Sequence, residues 1–218
     1  MSHQEAYRTL RVDGAESAPN PFTISAPYPS NGEYKAGEVL VFYVTLLGTA
    51  CALEQALMDA AHEMCEGKLK DTRLTAVERI YSHEWSDAGA ETIPYCDTLT
   101  VNFITPTEIF VQKKAATQID FALFVDRLFA RIGSIIDLYG EGEFMVPYNL
   151  VAKKPFVKAE YNLSTVVFKT NEQPVSGILG RVQYSGDVTR YLPYIDLGSQ
   201  IHIGRKSTRG CGEYTFEI

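Results

Sequence analysis

From Val175 to Tyr214 the chain reads VSGILGRVQYSGDVTRYLPYIDLGSQIHIGRKSTRGCGEY. Its parts succeed one another as strand, turn, helix and loop. Gly177 to Tyr184 is a short run of aliphatic and aromatic residues, as in a strand, and Ser185-Gly186-Asp187 is a turn. Val188 to about Leu197 predicts a short helix. Beyond it Gly198, Gly204, Gly210 and Gly212 surround Arg205, Lys206 and Arg209, a glycine-rich loop leading into a last strand over Cys211 to Ile218.

Upstream, Phe156 to Tyr161 predicts a strand, with a further short one at Thr165 to Lys169. Asp120 is placed to cap a long helix in which Phe121, Phe124, Val125, Leu128, Ile132, Ile135, Ile136 and Tyr139 recur on one face, and Gly140 closes it. The stripe Phe121, Phe124 and Phe129 lies at helical spacing, which makes it core and not a base-stacking platform. Asp97 to Thr105 alternates Leu99, Val101 and Phe103 with Thr98, Thr100 and Asn102, as a half-buried strand does, and Pro106 ends it. With the two middle strands taken as a pair, residues 93–218 read β-α-β-β-α-β, the ferredoxin-like order. That order lays the Gly204 to Gly212 loop against the helix that begins near Asp120.

Residues 1–92 read as a partial unit of the same kind behind an extended leader. The leader, to about Ala36, is rich in Pro, Ser, Asn and Gly. Glu38 to Leu47 (EVLVFYVTLL) predicts a buried strand, Ala52 to Cys65 an amphipathic helix stopped by Gly67, and Thr72 to Trp85 a second strand. The fold class is therefore α+β, with tandem ferredoxin-like (RRM-like) units of which the first is incomplete.

With 218 residues, 45% hydrophobic and 22% charged, the chain can bury a core, which excludes disorder and collagen-like structure. No apolar run approaches the roughly 20 residues that span a bilayer, and MSHQEAYRTL lacks a signal-peptide layout, so a cytoplasmic protein with no membrane partner is expected. Cys51, Cys65, Cys96 and Cys211 form no CxxC pair, and His3, His62, His83 and His202 are equally scattered, so neither structural zinc nor a disulfide framework is expected. The net charge of −7 argues against a nucleic-acid binder overall. From Val151 onward, however, nine Lys and Arg face six acids, a local balance of +3 that permits a phosphate site.

The glycine-rich loop is where chemistry concentrates. Glycines let backbone approach a ligand, while Arg205, Lys206, Arg209 and the hydroxyls of Ser207 and Thr208 offer donors to phosphate oxygens. A tight turn between helix and strand explains the glycines equally well, and the P-loop spacing GxxxxGK[ST] is absent. His202, three residues before Arg205, has the ordinary pKa for proton transfer near neutrality; it reads equally as a helix-end histidine packed on the sheet. His83 beside Glu84 and Trp85, His62 near Cys65, and the pairs Lys113-Lys114 and Lys153-Lys154 read as solvated surface.

The Val175–Tyr214 segment, preceded by DTLTVNFITPTEI and FARIGSIIDLYGEG, resembles the C-terminal part of the CRISPR repeat-processing endoribonucleases of the repeat-associated mysterious protein (RAMP) superfamily. Thr105-Pro106, Gly177 to Gly180 and Gly204 to Gly212 fall in the family's order, and NPFTISAP at Asn20 to Pro27 resembles its middle region. The resemblance implies a protein that binds CRISPR repeat RNA, works without a cofactor or metal, and cuts within the repeat in antiviral defence. It implies Gly204, Arg205, Lys206, Ser207, Thr208, Arg209, Gly210 and Gly212 as RNA-binding, His202 as acid or base, and Lys206 and Arg205 as phosphate stabilisers. The family's first strand and helix, which commonly carry a catalytic histidine, find no counterpart here, so weak or absent cleavage by this chain alone is expected. Arg209 stands where the family has an aromatic residue. Two other function classes fit: a non-catalytic guide-RNA-binding or effector-complex subunit, and a ferredoxin-like domain that binds a small molecule or protein.

Overall fold

The computed structural model describes residues 19–25, 34–67, 69, 72–80, 93, 95–140, 150, 155–168 and 174–218. The described chain runs β1 (Phe22–Ser25), β2 (Tyr43–Leu46), α1 (Glu54–Glu66), β3 (Thr98–Thr107), β4 (Phe110–Val111), β5 (Lys114–Ala115), α2 (Phe121–Tyr139), β6 (Lys158–Phe168), β7 (Val175–Ser185), α3 (Leu192–Ile201) and β8 (Tyr214–Glu217). Short 3-10 turns precede α1 and α3, at Gly48–Leu53 and Thr189–Tyr191, and a third lies inside the glycine-rich loop at Ser207–Arg209.

The antiparallel four-stranded sheet has the order β6-β7-β3-β8. Counted within the unit, that is the second, third, first and fourth strands, the ferredoxin-like arrangement expected from the element order. Leu99, Val101 and Phe103 of β3, Val182 and Tyr184 of β7 and Tyr214 of β8 point to one face, which α2 and α3 cover. Phe124 sits at the centre, in edge contact with Phe103 (6.2 Å) and Tyr214 (5.4 Å) and stacked on Tyr184 (6.0 Å between centroids). The tyrosine hydroxyls that this packing buries donate to carbonyl oxygens, Tyr184 to Ile119 (2.7 Å) and Tyr214 to Ile195 (2.6 Å). Burial raises the pKa of both. The opposite sheet face, with Thr98, Asn102, Arg181, Gln183, Lys158 and Glu160, is polar.

Helix α2 forms where its periodicity places it. The Asp120 carboxylate accepts from the Leu123 N–H at 2.7 Å, and Gly140 follows the last turn. Elsewhere the structure shifts the expected boundaries. The two segments predicted before and after Asn162 are one continuous strand, β6, held along its length by β7. Pro106 does not end β3, which runs to Thr107. The register to β7 slips between Phe103 and Thr107, and in that bulge a proline needs no ladder donor. The helix after the Ser185–Asp187 turn reaches Ile201, and the last strand begins only at Tyr214, because Cys211 to Glu213 belong to the loop.

In the first unit the expected buried strand Glu38 to Leu47 shrinks to Tyr43–Leu46. Among the described residues it pairs only with β1, and Val39, Val41 and Tyr43 are exposed. An apolar run becomes a buried strand only where tertiary neighbours cover it, and none of the described residues does so here. Residues 72–80 form no strand; Arg79 reaches back to pair with Glu54 of α1. The remainder of the strand predicted to Trp85, with His83, His3 and Lys153-Lys154, lies outside the described residues. The two halves meet where Gly48 (φ +54°) starts the first 3-10 turn against the Tyr139 carbonyl at the end of α2. A Cβ there would overlap that oxygen.

Candidate functional site

The glycine-rich loop starts where α3 ends. His202, at φ 58° and ψ 159°, turns the chain out of the helix, and Ile203 donates its N–H to the Gly212 carbonyl at 2.9 Å, closing the base of the loop. Gly212 in turn donates to Pro106 of β3 (3.1 Å), and Arg205 donates to the Glu108 carbonyl (3.1 Å). Inside the loop Arg209 and Cys211 donate to Lys206 O and Gly210 donates to Ser207 O. The amides of Arg205, Arg209, Gly210, Cys211 and Gly212 therefore hold the loop's own shape and its contacts with Pro106 and Glu108.

Four cations anchor or decorate it. Arg131 of α2 reaches under the loop, donating to Ile201 O (3.2 Å) and to the Ser207 hydroxyl (2.9 Å). Burial pulls its guanidinium down to about 10, with the Tyr139 phenol opposing the shift, so it stays charged at neutral pH. This contact places the loop against α2, as expected. Lys206, at φ 64°, turns inward: its ammonium lies 3.4 Å from the buried Glu108 carboxylate and donates to Pro174 O at 3.2 Å. Glu108 also accepts from the Ser176 hydroxyl (2.6 Å). Arg205 and Arg209 face solvent, Arg205 with its guanidinium 5.3 Å over the Phe110 ring. Of the predicted RNA-binding residues, Gly204, Thr208 and the two arginines reach the surface, while Ser207, Gly210 and Gly212 are buried. The Lys113-Lys114 pair is exposed at the β4–β5 turn, and His62 is exposed on α1.

His202 lies beneath the loop, only 1% exposed. Its Nδ1 faces the Cys211 carbonyl at 3.1 Å, an acceptor only, so Nδ1 carries the proton. That leaves Nε2 to accept from the Ser25 hydroxyl of β1, also at 3.1 Å. Burial lowers the imidazole from 6.5 to about 4; the Cys211 hydrogen bond raises it and Arg131 lowers it further. The ring is neutral at physiological pH. Nearby Glu213, half-buried, has its carboxyl raised by burial and lowered by contact with Ser25.

Between pH 6.5 and about 4 the unfolded chain binds a proton at His202 that the folded chain does not, so stability falls as pH falls through that window. The shift is worth about 3 kcal/mol at the acid end and nothing above pH 6.5. Urea unfolding at pH 7, 6, 5 and 4 checks it: His202→Asn should lose most of this acid slope, and equal slopes would contradict the assignment.

Sequence reasoning found the loop and its cations but missed Arg131, Glu108 and Ser25. Arg131 had a signal, a cation set between Leu128 and Ile132 on the apolar stripe of α2. Ser25 had none, because its partner lies 177 residues away. Among the described residues no group of three His, Cys, Asp or Glu is placed to hold a metal, and no helix is long and apolar enough to cross a membrane.

These features define an α+β protein with a ferredoxin-like unit closed by a cationic, glycine-rich loop. Residues 101–214 match the family described as CRISPR-associated endoribonuclease Cas6, so the chain belongs to that family. A second family, described as an N-terminal domain, matches residues 2–98. A Cas6 product complex superposes with a TM-score of 0.62 at 18% identity, over 99% of this chain and 90% of that one. A product complex of Thermus thermophilus Cas6 gives 0.63 at 15%, over 99% and 92%. A partial Cas6-RT-Cas1–Cas2 complex gives 0.61 at 14%, over 99% of this chain and 41% of that one. At such identities these likenesses establish the fold. No curated protein matches the chain.

Proposed function

We propose that this chain binds CRISPR repeat RNA across the outer surface of the Gly204–Gly212 loop and processes precursor CRISPR RNA by metal-independent cleavage within the repeat. The observation that supports it is the pairing of family membership with two outward arginines, Arg205 and Arg209, on a loop anchored to β3, α2 and β1. In this chemistry the ribose 2′-hydroxyl attacks the adjacent phosphorus and the bond to the 5′-oxygen breaks, leaving a 2′,3′-cyclic phosphate and a 5′-hydroxyl. One proton leaves the 2′-hydroxyl and one reaches the leaving oxygen, while cations stabilise charge on the phosphorane. Arg205 and Arg209 take the stabilising role. Lys206 joins them only by leaving Glu108, and His202 reaches the phosphate only if the loop lifts. We divide the chain near residue 92/93, with RNA held by the second unit and the first unit set against its loop. Product and Cas6-RT-Cas1–Cas2 complexes among the structural neighbours support repeat RNA and other CRISPR subunits as partners in the cytoplasm.

Arg205→Ala/Arg209→Ala tests the binding surface. At roughly 0.7 per phosphate contact on single-stranded RNA, the double variant lowers the slope of log K against log salt by about 1.4. The loss should be similar for cognate and scrambled repeats, since phosphate contacts carry affinity and not sequence choice. Filter binding across a salt series reads this, and an unchanged slope overturns it. Lys206 is left out of the test because its removal strands the buried Glu108 carboxylate.

A second reading, a guide-RNA-binding subunit that does not cut, is favoured by one observation: His202 is sealed from solvent with both ring nitrogens bonded.

A further inference from the structure

We infer that His202 and Ser25 form a positioning tie that fixes the glycine-rich loop to the first unit. The inference rests on the RNA-binding reading for its functional consequence and on geometry alone for the tie. Strand β1 of the first unit does not join the four-stranded sheet. It lies beside the loop, with Thr23 fully buried and its hydroxyl donating to Gln200 O at the end of α3 (3.3 Å). Two residues on, the Ser25 hydroxyl meets His202 Nε2. His202 then passes the constraint on through Nδ1 to the carbonyl of Cys211, on the returning arm of the loop. One imidazole therefore touches the first unit, the outgoing arm and the returning arm. A histidine at φ 58° is an uncommon backbone choice, which the surrounding bonds must hold in place.

The groups set around this ring are Arg131 from α2, Cys211 from the returning arm and Ser25 from β1, with Glu213 of the returning arm beside Ser25. Arg131 bonds Ile201 and Ser207 and braces the loop from the second unit's side. Ser25 braces it from the first unit's side. Removing the Ser25 hydroxyl takes away the bond from β1 to His202 and leaves the loop held by α2 and β3 and by packing against β1. Arg205 and Arg209 then keep their charge and lose their fixed place relative to any RNA that touches both units.

Hydrogen exchange on the full chain tests the tie without RNA. In Ser25→Ala, amides of residues 22–25 and 203–212 should exchange about 10-fold faster, while those of α2 stay unchanged. Ser25→Thr keeps the hydroxyl and should restore wild-type exchange. Unchanged exchange in Ser25→Ala overturns the tie, as does acceleration that spreads through α2, which would mean general destabilisation. Fluorescence anisotropy with repeat RNA then reads the positioning role: about 10-fold weaker affinity in Ser25→Ala, recovered in Ser25→Thr. Faster exchange with unchanged affinity overturns positioning. If wild-type chain binds no repeat RNA, the functional reading fails and the exchange result still decides the tie.

Discussion

Replacing Phe124 with alanine should destabilise the chain by about 4 kcal/mol, the middle of the range for deleting a fully buried phenylalanine. Phe124 is completely buried and contacts the rings of Phe103, Tyr184 and Tyr214, which come from three strands of the sheet. Its removal takes away apolar contact area and aromatic-pair energy of about 1 kcal/mol per pair, and leaves a cavity that rigid strands cannot close. For a chain of this size the melting midpoint should fall by roughly 10 °C, at 2–4 °C per kcal/mol. Phe124→Leu, which refills most of the volume, should recover more than half of the loss. A Phe124→Ala loss below about 1 kcal/mol in urea unfolding would show that α2 does not pack as described.

Gly212→Val should abolish RNA binding as well as cost stability. Gly212 has φ +80°, and a Cβ there would overlap the carbonyl oxygen of Ile203, the residue whose N–H closes the loop on Gly212. A β-branched residue meets both obstacles: strain of about 1–2 kcal/mol for the left-handed backbone, and the loss of two hydrogen bonds worth about 1 kcal/mol each if the strand moves away. The sum is about 3–4 kcal/mol. Because the moving bonds are those to Ile203 and Pro106, the loop separates from β3, and Arg205 and Arg209 scatter. Filter binding at a temperature where circular dichroism shows the variant folded distinguishes this from unfolding. Retained affinity in folded Gly212→Val would show that RNA does not need the closed loop.

The second unit was legible because its signals are local. The α2 stripe, the Asp120 cap and the β3 alternation are each set by neighbours within a few residues, and all three appear in the structure. Glu38 to Leu47 misled because an apolar, β-branched run states what a strand needs and not whether a partner exists. Pro106 misled for a similar reason: whether a proline ends a strand depends on a bulge created by the register to β7. At the site, the loop's composition announced its charge, and its glycines announced its tight turns. What each cation does was not local. Lys206 turns inward because Glu108 waits beneath it, and His202 is neutral because the fold buries it and sets Arg131 of a distant helix near it, against the opposing pull of the Cys211 carbonyl.

Metal-independent cleavage of precursor CRISPR RNA is the reaction proposed for this chain. Its most direct test is incubation of the full chain with end-labelled repeat RNA in excess EDTA, with products resolved at nucleotide level and their ends analysed. One cut within the repeat is expected, slow for this chain alone, with a 2′,3′-cyclic phosphate on the upstream product and a rate unchanged by added magnesium. Tight binding of the repeat without any cut, or a cut that appears only with magnesium, would contradict it.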